Sequence, residues 1–177
     1  MKKLYTMLLL VISLCTASCS DWLDVSPSNQ VNGDKLFEIG DGYRNALNGI
    51  YLNLGTSSMY GQTMSWGFMD AIAQYYKTDN GSNFIPKTSA YYKSAKFQFE
   101  DSDVKTFISN IWSVSYNNIA NCNNLILNVS EASPSVFKEG EFEKNMIWGE
   151  ALALRAFMHF DLLRLFAPAI SKDDGKS

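Results

Sequence analysis

Apolar residues recur at helical spacing in the last quarter of the chain. One set follows the spacing i, i+4, i+7, i+11, i+15 and i+18 and forms one helical face: Ile147, Ala151, Leu154, Met158, Leu162 and Leu165. A second set covers most of the remaining surface: Leu152, Ala153, Ala156, Phe157, Phe160 and Leu163. Because a helix that is apolar nearly all round is buried among other elements, we expect this helix to be central and packed on several sides.

The same periodicity predicts three further helices. The first runs from Asp41 to Leu54 and ends at Gly55. The second covers residues 62–76, and its inward face consists of Trp66, Met69, Ile72, Ala73 and Tyr76. The third begins at the cap Asp101 and extends to about residue 130, with an inward stripe of Val104, Phe107, Ile108, Ile111, Trp112, Ile119, Cys122, Ile126 and Val129.

Residues 77–100 interrupt the helical pattern with turn-forming residues at 78–83 and a proline at position 86. This segment and its edge are rich in aromatic residues: Tyr75, Tyr76, Phe84, Tyr91, Tyr92, Phe97 and Phe99. Disordered segments lack aromatic residues, so an ordered loop is predicted. The rings either pin the loop to the core or face outward as a stacking platform.

These elements predict an all-α fold of two antiparallel helical pairs with a long irregular aromatic loop between them. Ala156, Phe160 and Pro168 stand at the A-x3-F-x7-P spacing of the second helix of a tetratricopeptide unit. The pattern of the first helix of that unit is not in register, so the spacing alone is a weak indication of tetratricopeptide-like pairs.

Composition restricts the classes of function. The 177 residues are 46% hydrophobic, which is enough for one globular domain with a core. A formal charge of −3 and the lack of a basic cluster argue against nucleic-acid binding. The chain has a single histidine, His159, and three cysteines, of which only Cys122 lies beyond residue 19, so we expect no disulfide, metal centre or cofactor.

The N-terminus has the pattern of an export signal. Lys2 and Lys3 precede an apolar run, and the small residues 16–18 lead directly into Cys19. Residues 1–18 thus resemble a bacterial lipoprotein signal peptide that ends before a lipidated Cys19; ordinary secretory cleavage is the alternative. We expect residues 19–33 to form an extended acidic linker and residues 34–177 to form the helical domain, anchored to a membrane by lipid.

Four motifs in this order carry a family resemblance. They are CSDWLDVSP at 19–27, ALNGIY at 46–51, the set Trp112, Tyr116, Ile119, Asn121, Asn124 and Leu125, and the segment from Gly149 to Pro168. Together they resemble the SusD/RagB family of outer-membrane nutrient-binding lipoproteins of Bacteroidetes. Ala167 stands where the family usually has glycine, which affects only the exit turn. Because family members are much longer, we expect the domain to be incomplete.

The resemblance implies a surface-exposed outer-membrane lipoprotein without catalytic activity. Such a protein captures oligosaccharides and delivers them to a SusC-like TonB-dependent transporter. A sugar site needs aromatic faces and a few polar groups, and the loop between the second and third predicted helices offers both. The candidate ligand-binding residues are Tyr75, Tyr76, Asp79, Asn80, Asn83, Tyr91 and Tyr92.

Two other functions compete with capture. A surface glycosidase would need two carboxylates, and the candidates are Asp101, Asp103, Glu139, Glu141 and Glu143. Acidic residues at helix starts more commonly cap the helix and offset its dipole. A helical scaffold would bind a partner protein only. Charged residues of the last helix are interpreted as architecture, with an i, i+3 pair between Asp161 and Arg164 and with Glu150 and Arg155 each bonded to another helix.

Overall fold

The computed structural model describes residues 33–78 and 85–168. These ranges contain six α-helices and one 3-10 helix: α1 (Gly33–Leu36), α2 (Gly40–Leu54), α3 (Phe68–Ile72), α4 (Ala90–Ala95), α5 (Ser102–Glu131), the 3-10 helix (Pro134–Val136) and α6 (Gly140–Phe166). No strand occurs in them, and the all-α prediction is confirmed. A boundary between two compact units falls between α1 and Phe37.

The two long helices, α5 and α6, lie antiparallel. The Trp112 ring of α5 meets the Phe166 ring of α6 with centroids 5.0 Å apart. At the opposite end, Lys144 of α6 donates a hydrogen bond of 2.7 Å to the carbonyl of Ala132, just after α5. Early residues of α5 therefore contact late residues of α6, as an antiparallel pair requires.

Helix α2 runs alongside α6 in the same direction. Arg44 forms an ion pair of 3.2 Å with Glu143. About two turns further along both helices, Tyr51 donates a hydrogen bond of 2.9 Å to Glu150. The main core lies between α2, α5 and α6, and its most buried large side chains include Leu47, Met59, Leu125, Ile147 and Met158. The predicted interhelical role of Glu150 is confirmed, and so is that of Arg155, which bonds Asn123 at 2.9 Å.

Only one face of α6 is packed within the described ranges. The face that begins at Ile147 is buried or half-buried, as predicted. The second apolar set is exposed along its whole length: Leu152, Ala153, Ala156, Phe157, Phe160 and Leu163. The prediction of packing on several sides is therefore wrong for this part of the chain, because α2, the 3-10 helix and α5 cover only the Ile147 face.

The predicted helix over residues 62–76 is reduced to the five residues of α3. Residues 55–67 instead form consecutive tight turns, in which Met64 N–H bonds the Met59 carbonyl at 2.8 Å and Gly67 N–H bonds the Gln62 carbonyl at 2.8 Å. Side-chain hydroxyls also donate hydrogen bonds to backbone carbonyls that would accept a backbone N–H in a regular helix. For example, the Ser65 hydroxyl donates to the Tyr60 carbonyl at 2.9 Å. The first predicted helical pair is consequently incomplete, and the tetratricopeptide-like arrangement is not confirmed.

The segment predicted as an irregular loop contains helix α4. Its N-cap is Ser89, whose hydroxyl accepts a hydrogen bond of 3.3 Å from the Tyr91 backbone N–H. Six residues are too few to produce a detectable apolar period, which is why the pattern alone missed this helix. The cap of α5 is as predicted, since the Asp101 side chain accepts the Asp103 N–H at 2.9 Å. Trp112, predicted to face inward, is exposed.

Candidate functional site

Three aromatic rings line one open cleft between the turn segment 55–67 and helix α4. We call this the aromatic cleft; its volume is about 210 Å³, and it is lined by Trp66, Gly67, Tyr76, Ile85 and Tyr91. The cleft joins positions 25 residues apart in sequence. It therefore depends on tertiary contacts and not on one local motif.

Backbone contacts fix two of the rings. The Trp66 indole N–H donates a hydrogen bond of 3.1 Å to the Gly61 carbonyl, while its side chain stays 57% exposed. The Tyr76 hydroxyl donates to the Trp66 carbonyl. Partial burial, with a smaller effect from the Asp70 carboxylate, raises the pKa of Tyr76, so its hydroxyl is protonated at neutral pH. Both rings are thus held at the cleft before any ligand binds.

The third ring, Tyr91, is held from two sides. Its hydroxyl accepts a hydrogen bond of 2.8 Å from the Gln62 side-chain amide. Its ring stacks on Phe107 of α5, with centroids 5.2 Å apart and planes 28° apart. These contacts join the turn segment, α4 and α5 at one residue, so the position of Tyr91 follows from the fold and not from its own rotamer preference.

A second opening shares Tyr91 with the aromatic cleft. We call it the polar cleft; its volume is about 190 Å³, and it is lined by Ser57, Ser58, Gln62, Thr63, Tyr91, Phe107 and Asn110. Two of its hydroxyl groups are used within the turn segment: Thr63 donates to the Ser57 carbonyl at 2.8 Å, and the Ser58 hydroxyl bonds Thr56 at 2.9 Å. Tyr91 is the residue common to both clefts.

The predicted ligand-binding residues separate into three groups. Tyr76 and Tyr91 meet in the aromatic cleft. Tyr75 is 77% exposed and Tyr92 is half-buried with the Lys96 ammonium 5.8 Å from its ring centroid, and neither lines the cleft. Asp79, Asn80 and Asn83 lie outside the described residues, as does the predicted lipidation site Cys19.

Trp66 is absent from the predicted site residues because the predicted helix over residues 62–76 places its ring on the inward face. The sequence does contain a signal for an outward-facing Trp66, namely the glycines on either side of it, Gly61 and Gly67. A Cβ at Gly67 would lie 2.8 Å from the Gln62 carbonyl oxygen, so this backbone approach requires glycine. Glycines with that role indicate tight turns, and an aromatic ring between them is free to face solvent.

The family comparison bears on this arrangement of rings. A family model described as "Starch-binding associating with outer membrane" matches residues 21–176, nearly the whole chain. The chain belongs to the SusD/RagB family. No curated protein and no solved structure gave a match. The family is one of binding proteins that associate with the outer membrane.

In this SusD/RagB chain, three of the five carboxylates considered for glycoside hydrolysis have structural partners. Asp101 and Asp103 each lie 2.9 Å from the Lys93 ammonium. That ammonium, together with the N-terminal backbone of α5, lowers the pKa of Asp101. Glu143 accepts the Glu139 backbone N–H and pairs with Arg44, and both contacts lower the pKa of Glu143. These groups cap helices and hold elements together.

Other chemistry is sparse in residues 33–78 and 85–168. They contain no group of three or more histidine, cysteine or acidic side chains that could hold a metal ion. None of the helices described there is both long enough and apolar enough to cross a membrane. Another cavity, of about 230 Å³, lies between α3, α5 and the end of α6. Its lining side chains are all hydrophobic and offer no hydrogen-bonding group to a sugar: Phe68, Ile72, Phe99, Ile108, Ile111, Leu165 and Phe166.

Proposed function

We propose that this protein captures oligosaccharides on the aromatic cleft and passes them to a SusC-like TonB-dependent transporter. The observation that carries the proposal is the meeting of Trp66, Tyr76 and Tyr91 around one opening. A pyranose ring has an apolar C–H face that packs on an aromatic ring and an edge of hydroxyl groups that needs polar partners. Membership of a family described as starch-binding supports the same ligand class.

The proposal includes a cellular location. Lipid attached to Cys19 would hold the protein on the outer membrane with its domain at the cell surface, and residues 19–33 would space the domain from the lipid. The family description, which names association with the outer membrane, supports this location. Replacing Cys19 by Ala should release the protein from the membrane fraction, and continued membrane association would argue against a lipid anchor.

Calorimetric titration with maltoheptaose tests capture. Trp66→Ala should weaken binding about tenfold or more, because it removes a ring contact worth roughly 0.5–1.5 kcal/mol as well as its buried area. The matched control is Trp112→Ala, since Trp112 is also an exposed tryptophan but lies on α5 against Phe166. No binding by the unaltered protein, or equal binding by Trp66→Ala, would refute the proposal.

A scaffold that binds only a partner protein is the second candidate. The observation that favours it is the exposed apolar face of α6, which includes Phe157, Phe160 and Leu163. The two functions differ in one result. Co-purification with the transporter that survives Trp66→Ala, in a protein with no affinity for any glycan, would favour the scaffold.

A further inference from the structure

The aromatic cleft and the polar cleft meet at Tyr91, which lines both. We propose that the two clefts form one groove that binds a neutral oligosaccharide of at least two sugar units. One unit packs on the rings of Trp66 and Tyr76, and the next lies among Ser57, Gln62 and Asn110. This inference rests on the proposed function, because it takes the aromatic cleft as the site of the first unit.

The sizes of the clefts argue for more than one unit. The aromatic cleft measures about 210 Å³ and the polar cleft about 190 Å³. Pockets for complete small-molecule ligands usually measure about 300–1,000 Å³. Each cleft alone is therefore small for a whole ligand, whereas the two together reach the lower part of that range.

The polar cleft offers hydrogen-bonding groups that the protein does not use itself. Within the described ranges, the Ser57 hydroxyl and the side-chain amide of Asn110 make no hydrogen bond to another residue. Gln62 uses its amide N–H on Tyr91 and keeps its carbonyl oxygen available. A hydroxyl, an amide and a carbonyl supply both donors and acceptors, which is what the hydroxyl edge of a sugar requires.

Tyr91 connects the two clefts chemically as well as sterically. Its hydroxyl accepts a hydrogen bond from Gln62 at 2.8 Å, so its own proton remains available to an acceptor in the groove. A glycosidic or ring oxygen between two sugar units is such an acceptor. The ring of Tyr91 stacks on Phe107, which favours one orientation of this donor before the ligand binds.

The charge of the lining argues for a neutral ligand. None of the described residues that line the two clefts carries a charge. The Asp70 carboxylate is close enough to contribute to the raised pKa of Tyr76, which places a negative charge near the aromatic cleft. A uronic-acid or sulfated sugar would lose water from its anionic group without gaining a cationic partner. We therefore expect neutral glycans to bind better than acidic ones.

The test is an NMR titration that follows the indole N–H signal of Trp66, assigned by its loss in Trp66→Phe. Three probes are used: methyl α-glucoside, maltotriose and trigalacturonate. Maltotriose should bind at least about threefold more tightly than methyl α-glucoside, since one neutral hydrogen bond changes affinity by about two- to tenfold. Trigalacturonate should bind about tenfold more weakly than maltotriose. Asn110→Ala and, independently, Ser57→Ala should reduce the ratio of the two neutral affinities towards one.

The matched control is Asn145→Ala, which replaces another exposed helical asparagine, on α6, away from both clefts. It should leave the ratio of affinities unchanged. If the unaltered protein binds methyl α-glucoside as tightly as maltotriose, or both cleft variants keep the ratio, the groove is refuted while the proposed function stands. Equal affinity for trigalacturonate would refute the preference for neutral ligands. If no probe shifts the Trp66 signal, the proposed function itself fails.

Discussion

Tyr60 donates a hydrogen bond of 2.7 Å to Asp161, although 101 residues separate them in sequence. Asp161 is only 4% exposed, and Arg164 bonds its second carboxylate oxygen. Burial, together with the Asp161 carboxylate, raises the pKa of Tyr60 far above its ordinary value, so the hydroxyl stays protonated. The contact fastens the turn segment 55–67, which carries Trp66, to α6.

Tyr60→Phe removes this donor and leaves one oxygen of a buried carboxylate without its partner. Loss of one partner of a buried charged group should lower the free energy of unfolding by about 1–3 kcal/mol. The packing of the ring against Phe157, with centroids 5.1 Å apart, is retained in the variant, so the measured loss reports on the hydrogen bond. Urea denaturation followed by circular dichroism provides the measurement.

Tyr116→Phe is the control for this prediction. Tyr116 is an exposed tyrosine of α5 whose hydroxyl makes no hydrogen bond to the residues that the structure describes. Its replacement should change the free energy of unfolding by less than about 0.5 kcal/mol. Equal losses in the two variants would mean that the Tyr60–Asp161 bond contributes nothing specific.

Gly61 and Gly49 should respond to alanine in opposite directions. A Cβ at Gly61 would lie 2.3 Å from the Gly55 carbonyl oxygen and 2.7 Å from that of Thr56, so the turn segment must move. Gly49 is an exposed position of α2 with no atom within 4 Å of such a Cβ. Alanine there should stabilise the helix by about 0.5–1 kcal/mol. Thermal unfolding should show a lower Tm for Gly61→Ala and a higher Tm for Gly49→Ala.

The long helices could be predicted because their apolar period extends over many turns. Helices α2 and α5 agree with the predicted bounds within one or two residues, and the cap at Asp101 is as expected. The apolar pattern could not predict what covers each face. The Phe157 and Phe160 face has the composition of a core, but both rings stay about half exposed among the described residues.

The site was only partly predictable for a related reason. Aromatic composition indicated the segment, and Tyr76 and Tyr91 do meet there. Trp66, Met69 and Ala73 stand at helical spacing, so the pattern predicts a helix with Trp66 on its inward face. The hydrogen bond from Gln62 to Tyr91 connects the turn segment to α4. It joins residues 29 positions apart, and no local pattern encodes it.

Cys122 should make stability fall at high pH. Burial raises the pKa of this thiol from 9.0 to about 11, and the side chain has no measurable exposure. Between these values the unfolded chain has lost the thiol proton while the folded chain retains it, so the free energy of unfolding decreases as the pH rises. The full effect of two pKa units is on the order of 3 kcal/mol, of which about half develops by pH 10. Because tyrosines also titrate above pH 10, the measurement is the difference between the unaltered protein and Cys122→Ala from pH 8 to about 10. A difference that does not vary with pH would contradict this account.

Adjacent tyrosines of α4 should differ in glycan capture. Tyr91 lines both clefts and contacts Phe107, whereas Tyr92 lies outside them with Lys96 over its ring. Tyr91→Ala should therefore weaken maltoheptaose binding by about tenfold or more, since it removes both a ring face and a fixed hydroxyl. Tyr92→Ala should change the affinity by less than about twofold, a difference of only ~0.4 kcal/mol.

Calorimetric titration measures both affinities, with circular dichroism to verify that each variant retains its helices. Equal losses in the two variants would mean that sugar binds across the outer surface of α4 and not in the cleft between α4 and the turn segment.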